Sequence, residues 1–193
     1  MSDDMDGRAW TESLSMRLLR IRWGASTSLF LRYALALGFL SAVADRFGLW
    51  GSFGQPNVAW GSFSRFLDYT HRLNWYLPAG IMLPLGVVTT GAELLFGLLL
   101  LAGWHTRVTA LLSGLLLMLF GLAMAFALGV EAPLNASVFP AAGGAFLLAH
   151  SERFPFSVDD LLFRRCRTAG ANRGLHPTAR LPERRRKRFN DIV

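Results

Sequence analysis

The sequence predicts an all-α membrane protein: a four-helix transmembrane bundle with an aromatic-rich outer loop and a disordered basic C-terminal tail. Three observations lead there. The 193-residue chain is 52% hydrophobic and only 17% charged, against about 25% charged residues in ordinary soluble domains. Its apolar residues fall in runs long enough to cross a bilayer, where roughly 20 residues cover about 30 Å of hydrocarbon. Its basic residues are segregated, 11 of the 20 lying after Ser151.

Residues 1–26 form the first element, a cytoplasmic N-terminal segment. Asp3, Asp4, Asp6 and Glu12 precede Arg17, Arg20 and Arg22, which alternate with Leu14, Leu18, Ile21 and Trp23. Cationic side chains among leucines and tryptophan suit a helix lying on the membrane surface, or equally a solvated leader. The membrane domain follows over residues 27–150. Its first span covers 27–44, with Arg32 near the start and Asp45-Arg46 closing it. Ala42-Val43-Ala44 also fits a signal-peptidase site, but the long preceding segment and the further apolar stretches favour a retained helix.

Residues 47–78 read as a loop rich in aromatic side chains, with Trp-Gly-Ser-Phe at both Trp50 and Trp60. Such side chains concentrate at membrane interfaces, so the loop either rests on the headgroups or lids a lipid-accessible pocket. The second span, Ala79 to Gly103, carries Pro84, Thr89, Thr90 and Glu93, with glycines that permit close helix approach. Trp104 to Arg107 turns into a third span, Val108 to Leu128. A fourth segment, Leu134 to His150, is only 17 residues long and contains Pro140; a re-entrant path is the alternative.

Charge decides for four spans. With both termini cytoplasmic, the inner side holds Arg8, Arg17, Arg20, Arg22, Arg107 and the basic residues of the tail, while the outer side holds Arg46, Arg65 and Arg72. Three spans would place the basic tail outside, against the bias of arginine towards the cytoplasm. The expected location is a bacterial inner membrane. Residues 151–193 form the cytoplasmic tail, mostly disordered and ending in Arg184-Arg185-Arg186-Lys187-Arg188.

Net charge is +7, yet no nucleic-acid-reading motif accompanies the basic run, so anionic lipid is its expected partner rather than nucleic acid. The lone Cys166 rules out an internal disulfide or a dithiol pair. No phosphate loop, dinucleotide fingerprint, His-Glu-x-x-His or Gly-x-Ser-x-Gly occurs. No metal site is expected. His105 and His150 fall near one surface, but neither lies within a span, which argues against haem.

Glu93 is the residue most in need of explanation. A carboxylate that deep costs about 2.5 kcal/mol or more unless it is protonated, paired or turned inward. Counted from the span boundaries at about 1.5 Å per residue, Arg32 comes close enough for an ion pair with Glu93. Thr89 and Thr90, one turn earlier, offer hydroxyls to the carboxylate or to a ligand. Glu93, Arg32, Thr90 and Thr89 are therefore the candidate ligand or proton site, with helix packing as the alternative role. Asp45 and Arg46, with Trp50 and Trp60, form a candidate outer pocket mouth; an interfacial cap is the plainer alternative.

Two blocks carry a family likeness. One is Leu40-Ser41-Ala42-Val43-Ala44-Asp45-Arg46-Phe47-Gly48-Leu49-Trp50-Gly51. The other is Ala92-Glu93 followed by Gly97 to Arg107, a leucine–glycine run ending in a turn with Thr106-Arg107. In order and spacing, over residues 28–150, the chain resembles the DoxX-like family of four-helix membrane proteins. The resemblance implies a redox-associated role: a membrane-anchoring or quinone-contacting subunit of an oxidoreductase complex, with a soluble redox partner or a homo-oligomer. A quinone head would lie near Glu93, Thr90 and Arg32. Catalysis by the chain alone is not implied, since it lacks the cysteines of a sulfur relay. A small transporter or proton-relay module using Glu93, or a purely structural membrane protein, are the alternatives.

Overall fold

Small residues set where the helices of this chain touch, and leucines set what they show to their surroundings. The computed structural model describes residues 3–151 and 154–159, with side chains from residue 24 onward. Helix α1 runs unbroken over Asp3–Arg46, α2 over Phe63–Leu73, α3 over Met82–Ala102, α4 over Thr106–Leu128, α5 over Glu131–Asn135 and α6 over Val138–Ala149. A 3-10 turn, Ala79–Ile81, leads into α3. No strand occurs among the described residues.

Three stretches are long and apolar enough to cross a membrane: Gly24–Arg46, Ala79–Ala102 and Thr106–Leu128. Their outward faces are apolar, with Phe30 72%, Val88 68%, Leu119 64% and Phe126 74% exposed. A perimeter of this kind has no place in water and suits a protein in lipid. The segment expected as a fourth span, Leu134 to His150, is not a single long helix. Residues 131–149 are split into α5 and α6 at Ser137, whose φ is +55°, and α6 has 12 residues, about 18 Å of helix. It packs on α4 and α1.

The core joins α1, α3, α4 and α6 through Leu35, Ala36, Phe39, Leu100, Ala110, Ala145 and Leu148. Glycines admit the close approaches. A Cβ at Gly114 would lie 2.6 Å from the Phe146 ring, one at Gly121 2.7 Å from Phe139, and one at Gly97 2.9 Å from Leu40. Leucine at position 97 therefore overpacks the α1–α3 contact, at about 1–3 kcal/mol. Gly97→Leu is expected to lower the unfolding temperature in detergent, whereas Gly91→Leu, with nothing within 4 Å of its Cβ position, is expected to leave it near wild type.

α3 ends in a Schellman motif. Gly103 takes φ +70°, Trp104 N–H donates to Leu99 O at 3.0 Å and Gly103 N–H to Leu100 O at 3.2 Å, which satisfies the last carbonyls and reverses the chain. The turn delivers α4 antiparallel to α3.

Two features mark the ends of the domain. No break separates a surface segment from the first span, since α1 is continuous. The tail assigned to residues 151–193 begins with ordered chain: Phe154–Asp159 folds back over the Gly103 turn as a strap, and Asp159 N–H donates to Gly103 O at 3.2 Å. The remainder of the tail, residues 160–193, lies outside the described residues.

Candidate functional site

α1 does not run the length of α3, and the difference creates the site. Arg32 lies at the level of Gly103, its Nη1 2.7 Å from a Cβ there, and Arg46, the last residue of α1, reaches Thr90 and Glu93. Between these levels α1 rises by 14 residues, about 21 Å. α3 continues beyond Thr90 to Met82, a further 12 Å or about that. Residues 47–73 fill the step as a cap at this end of the bundle.

The cap is not the plain loop expected over residues 47–78. It contains α2, begun by Ser62, whose side chain accepts from Arg65 N–H. Phe66, Thr70 and Leu73 face inward, at helical spacing. A tight turn joins the two Trp-Gly-Ser-Phe copies: Gly61 has φ +64°, and a Cβ there would lie 2.5 Å from Phe53 N. Only glycine accommodates both demands.

At the floor of the cap lies a buried cluster. Arg46 Nη2 donates to Glu93 Oε1 at 2.7 Å and its Nη1 to Thr90 Oγ1 at 2.8 Å. The two ion-pair side chains are 3% and 2% exposed. The guanidinium sits 3.8 Å from the Phe66 ring centroid and 5.4 Å from that of Trp60, so two aromatic faces close it off from the cap side. Glu93 is thus neutralised inside the bundle, the arrangement a carboxylate in lipid requires. Its Oε2 has no hydrogen-bond partner among the described residues.

The expected partner of Glu93 was Arg32, and that pairing is corrected. Arg32 is 1% exposed and donates to Pro155 O at 3.2 Å and Phe156 O at 2.8 Å in the strap. Counting from Thr27 set the helix register wrongly, because α1 continues N-terminally past that residue. Arg32 and Arg46 are about 21 Å apart along α1, and only Arg46 is level with Glu93. Thr90 joins the cluster through Arg46, from which it accepts a hydrogen bond; Thr89 is half-buried and makes no bond to it.

Of the expected pocket mouth, Asp45, Arg46 and Trp60 come together and Trp50 does not. Asp45 is 5% exposed and accepts from the backbone N–H groups of Ala59 at 3.1 Å and Trp60 at 2.9 Å; it brackets the cap onto α1. Trp50 lies apart from the pocket, with Nε1 donating to Ser41 O and Oγ, each at 3.1 Å. Trp60 alone lines a cleft, of about 350 Å³, together with Phe53, Ala59, Arg65, Asp68, Tyr69 and Arg72. Arg65 stacks on Phe53 at 3.8 Å. Burial pushes the Tyr69 phenol up, with the Arg72 charge pulling the other way, so it keeps its proton at neutral pH. The signal for these residues was the helical spacing of Phe63, Phe66, Thr70 and Leu73, masked by the density of aromatic residues.

At the opposite end the strap closes the bundle. Asp159 accepts from His105 N–H at 2.9 Å, Thr106 N–H at 2.8 Å and Thr106 Oγ1 at 2.9 Å, satisfying the first donors of α4. His105 and His150 are both exposed there, and His150 Nδ1 is 2.8 Å from the carbonyl of Phe146 on its own helix. No protein-family model matches the sequence, and neither curated proteins nor solved structures give a significant match.

Proposed function

We propose that this chain is a DoxX-like protein of a bacterial inner membrane, crossing it four times with both termini cytoplasmic. In this reading it serves as a membrane-anchoring, quinone-contacting subunit of a redox complex. The observation that supports it is the acid–guanidinium–hydroxyl cluster of Glu93, Arg46 and Thr90, buried within a span beneath Trp60 and Phe66. A quinone head needs donors for its carbonyl oxygens and a proton-exchanging group close by; these residues supply both. The arginine distribution supports the orientation, with Arg46, Arg65 and Arg72 at the cap end and Arg107 at the other.

The full-length protein in nanodiscs, titrated with a short-chain quinone, is expected to show saturable quenching of tryptophan fluorescence. Glu93→Gln should weaken it about tenfold, the size of one charge-assisted hydrogen bond, and slow electron transfer to added quinone by a soluble partner. A wild-type protein that neither quenches nor retains quinone on extraction removes this reading.

A proton relay is the second reading, favoured by Glu93 Oε2, which has no partner among the described residues in a side chain only 2% exposed. It requires pH-dependent flux across proteoliposomes that Glu93→Gln abolishes.

A further inference from the structure

The cleft on the outer face of the cap is separate from the buried cluster and has a different chemistry. Three charged side chains line it from one face of α2: Arg65, Asp68 and Arg72, at i, i+3 and i+7 and so adjacent on a helix surface. Among the described residues the only ion pair is Arg46–Glu93. The three charges on α2 are therefore not used on one another, although Asp68 stands between two arginines. Arg65 is held by stacking on Phe53, which fixes its guanidinium without consuming its donors.

The depth of the cleft narrows the choice of ligand. α2 lies against α3 at Gly86, where a Cβ would meet Leu67 at 2.4 Å and Phe66 at 3.5 Å. Gly86 is four residues from the start of α3, about 6 Å. α3 itself, at 21 residues, is about as long as the hydrocarbon is thick. The cleft thus lies at a membrane boundary. Exposed Trp75, Tyr76 and Phe126 mark the same level, Tyr76 and Phe126 meeting edge-to-face at 6.5 Å, as interfacial aromatic residues do.

We propose that this cleft holds the headgroup of a phosphatidylethanolamine molecule from the adjoining leaflet. The phosphodiester takes Arg65 and Arg72, whose guanidinium forks match its oxygens. The ammonium takes Asp68, and Trp60 and Tyr69 wall the headgroup on its apolar side. The plus–minus–plus order along α2 complements an anion joined to a cation. A glycerol headgroup gives Asp68 no cation, and a choline headgroup gives it no N–H donor.

Native mass spectrometry of the delipidated full-length protein, titrated separately with palmitoyl-oleoyl phosphatidylethanolamine, phosphatidylglycerol, phosphatidylcholine and lipid-free glycerophosphoethanolamine, tests this. The ethanolamine lipid is expected to bind about tenfold more tightly than the choline or glycerol lipids. The Arg65→Gln/Arg72→Gln variant should lose at least that factor, and Asp68→Asn should abolish the preference for ethanolamine over glycerol. All three positions are exposed on α2, so an unchanged unfolding temperature is expected of both variants. Equal binding of the three lipids overturns the proposal, as does ethanolamine-lipid binding that is unaffected by the double substitution. Lipid-free glycerophosphoethanolamine binding as tightly as the lipid overturns it too, since the occupant is then a soluble phosphoethanolamine ester.

Discussion

Replacing Arg46 with alanine is expected to destabilise the protein by about 3–5 kcal/mol, because it leaves the Glu93 carboxylate buried without its counter-charge. The same substitution removes the bond to Thr90 and the aromatic contacts with Phe66 and Trp60, so the contact that joins α1, α3 and the cap at one point is lost, while Asp45 still holds the cap onto α1. Glu93→Gln is expected to cost less, since the amide keeps an acceptor for the guanidinium while the charge attraction is lost. An Arg46→Met/Glu93→Met double variant should recover most of the loss, as apolar replacement of a buried pair is often neutral. Reversible unfolding in mixed micelles, followed by tryptophan fluorescence, measures all three. An Arg46→Ala cost below about 1 kcal/mol, the range of exposed ion pairs, sinks the assignment of this pair as the organising contact.

The strap should yield the second large effect. Asp159→Ala removes three hydrogen bonds at the start of α4, a cap of a kind worth about 0.5–2 kcal/mol. It also removes a negative charge from a helix N-terminus, worth about 0.3–1 kcal/mol more. Adding Arg32→Met cuts the bonds to Pro155 and Phe156, and the strap then keeps its backbone bond to Gly103 O. Hydrogen exchange at His105 and Thr106 is expected to rise in Asp159→Ala, and thermolysin is expected to cut at Phe154 and Phe156 in the double variant. Unchanged exchange at Thr106 sinks the capping role. Glu93 lies ten residues along α3 from Gly103, about 15 Å, and the cap beyond it, so short-chain quinone quenching should be unaltered.

How far the sequence reached is best seen in the two buried arginines. That Glu93 needs a cationic or hydrogen-bonding partner follows from the cost of a bare carboxylate in hydrocarbon, and helical spacing offers Thr89 and Thr90 alike as hydroxyls one turn before it. Which arginine serves could not be read, because a partner is fixed by helix register and register depends on packing. Gly97 against Leu40 and Ala36, and Gly103 against Arg32, set that register and bring Arg46 level with Glu93. The same limit hid the roles of Asp45 and Asp159. Each satisfies backbone donors far away in the chain, and nothing local in sequence announces such a bond.

By itself, then, the sequence determined the helical class, three lengths of apolar chain sufficient to cross a bilayer, and the presence of an ionisable group that must face inward. Hydropathy and composition are local sums, and they survive any arrangement of the helices. Only the tertiary structure decided that α1 stops short of α3, that α2 and the aromatic turn fill the step, and that charge lines a cleft on the cap. These depend on which small residues meet which side chains across helices, a property of pairs distant in the chain.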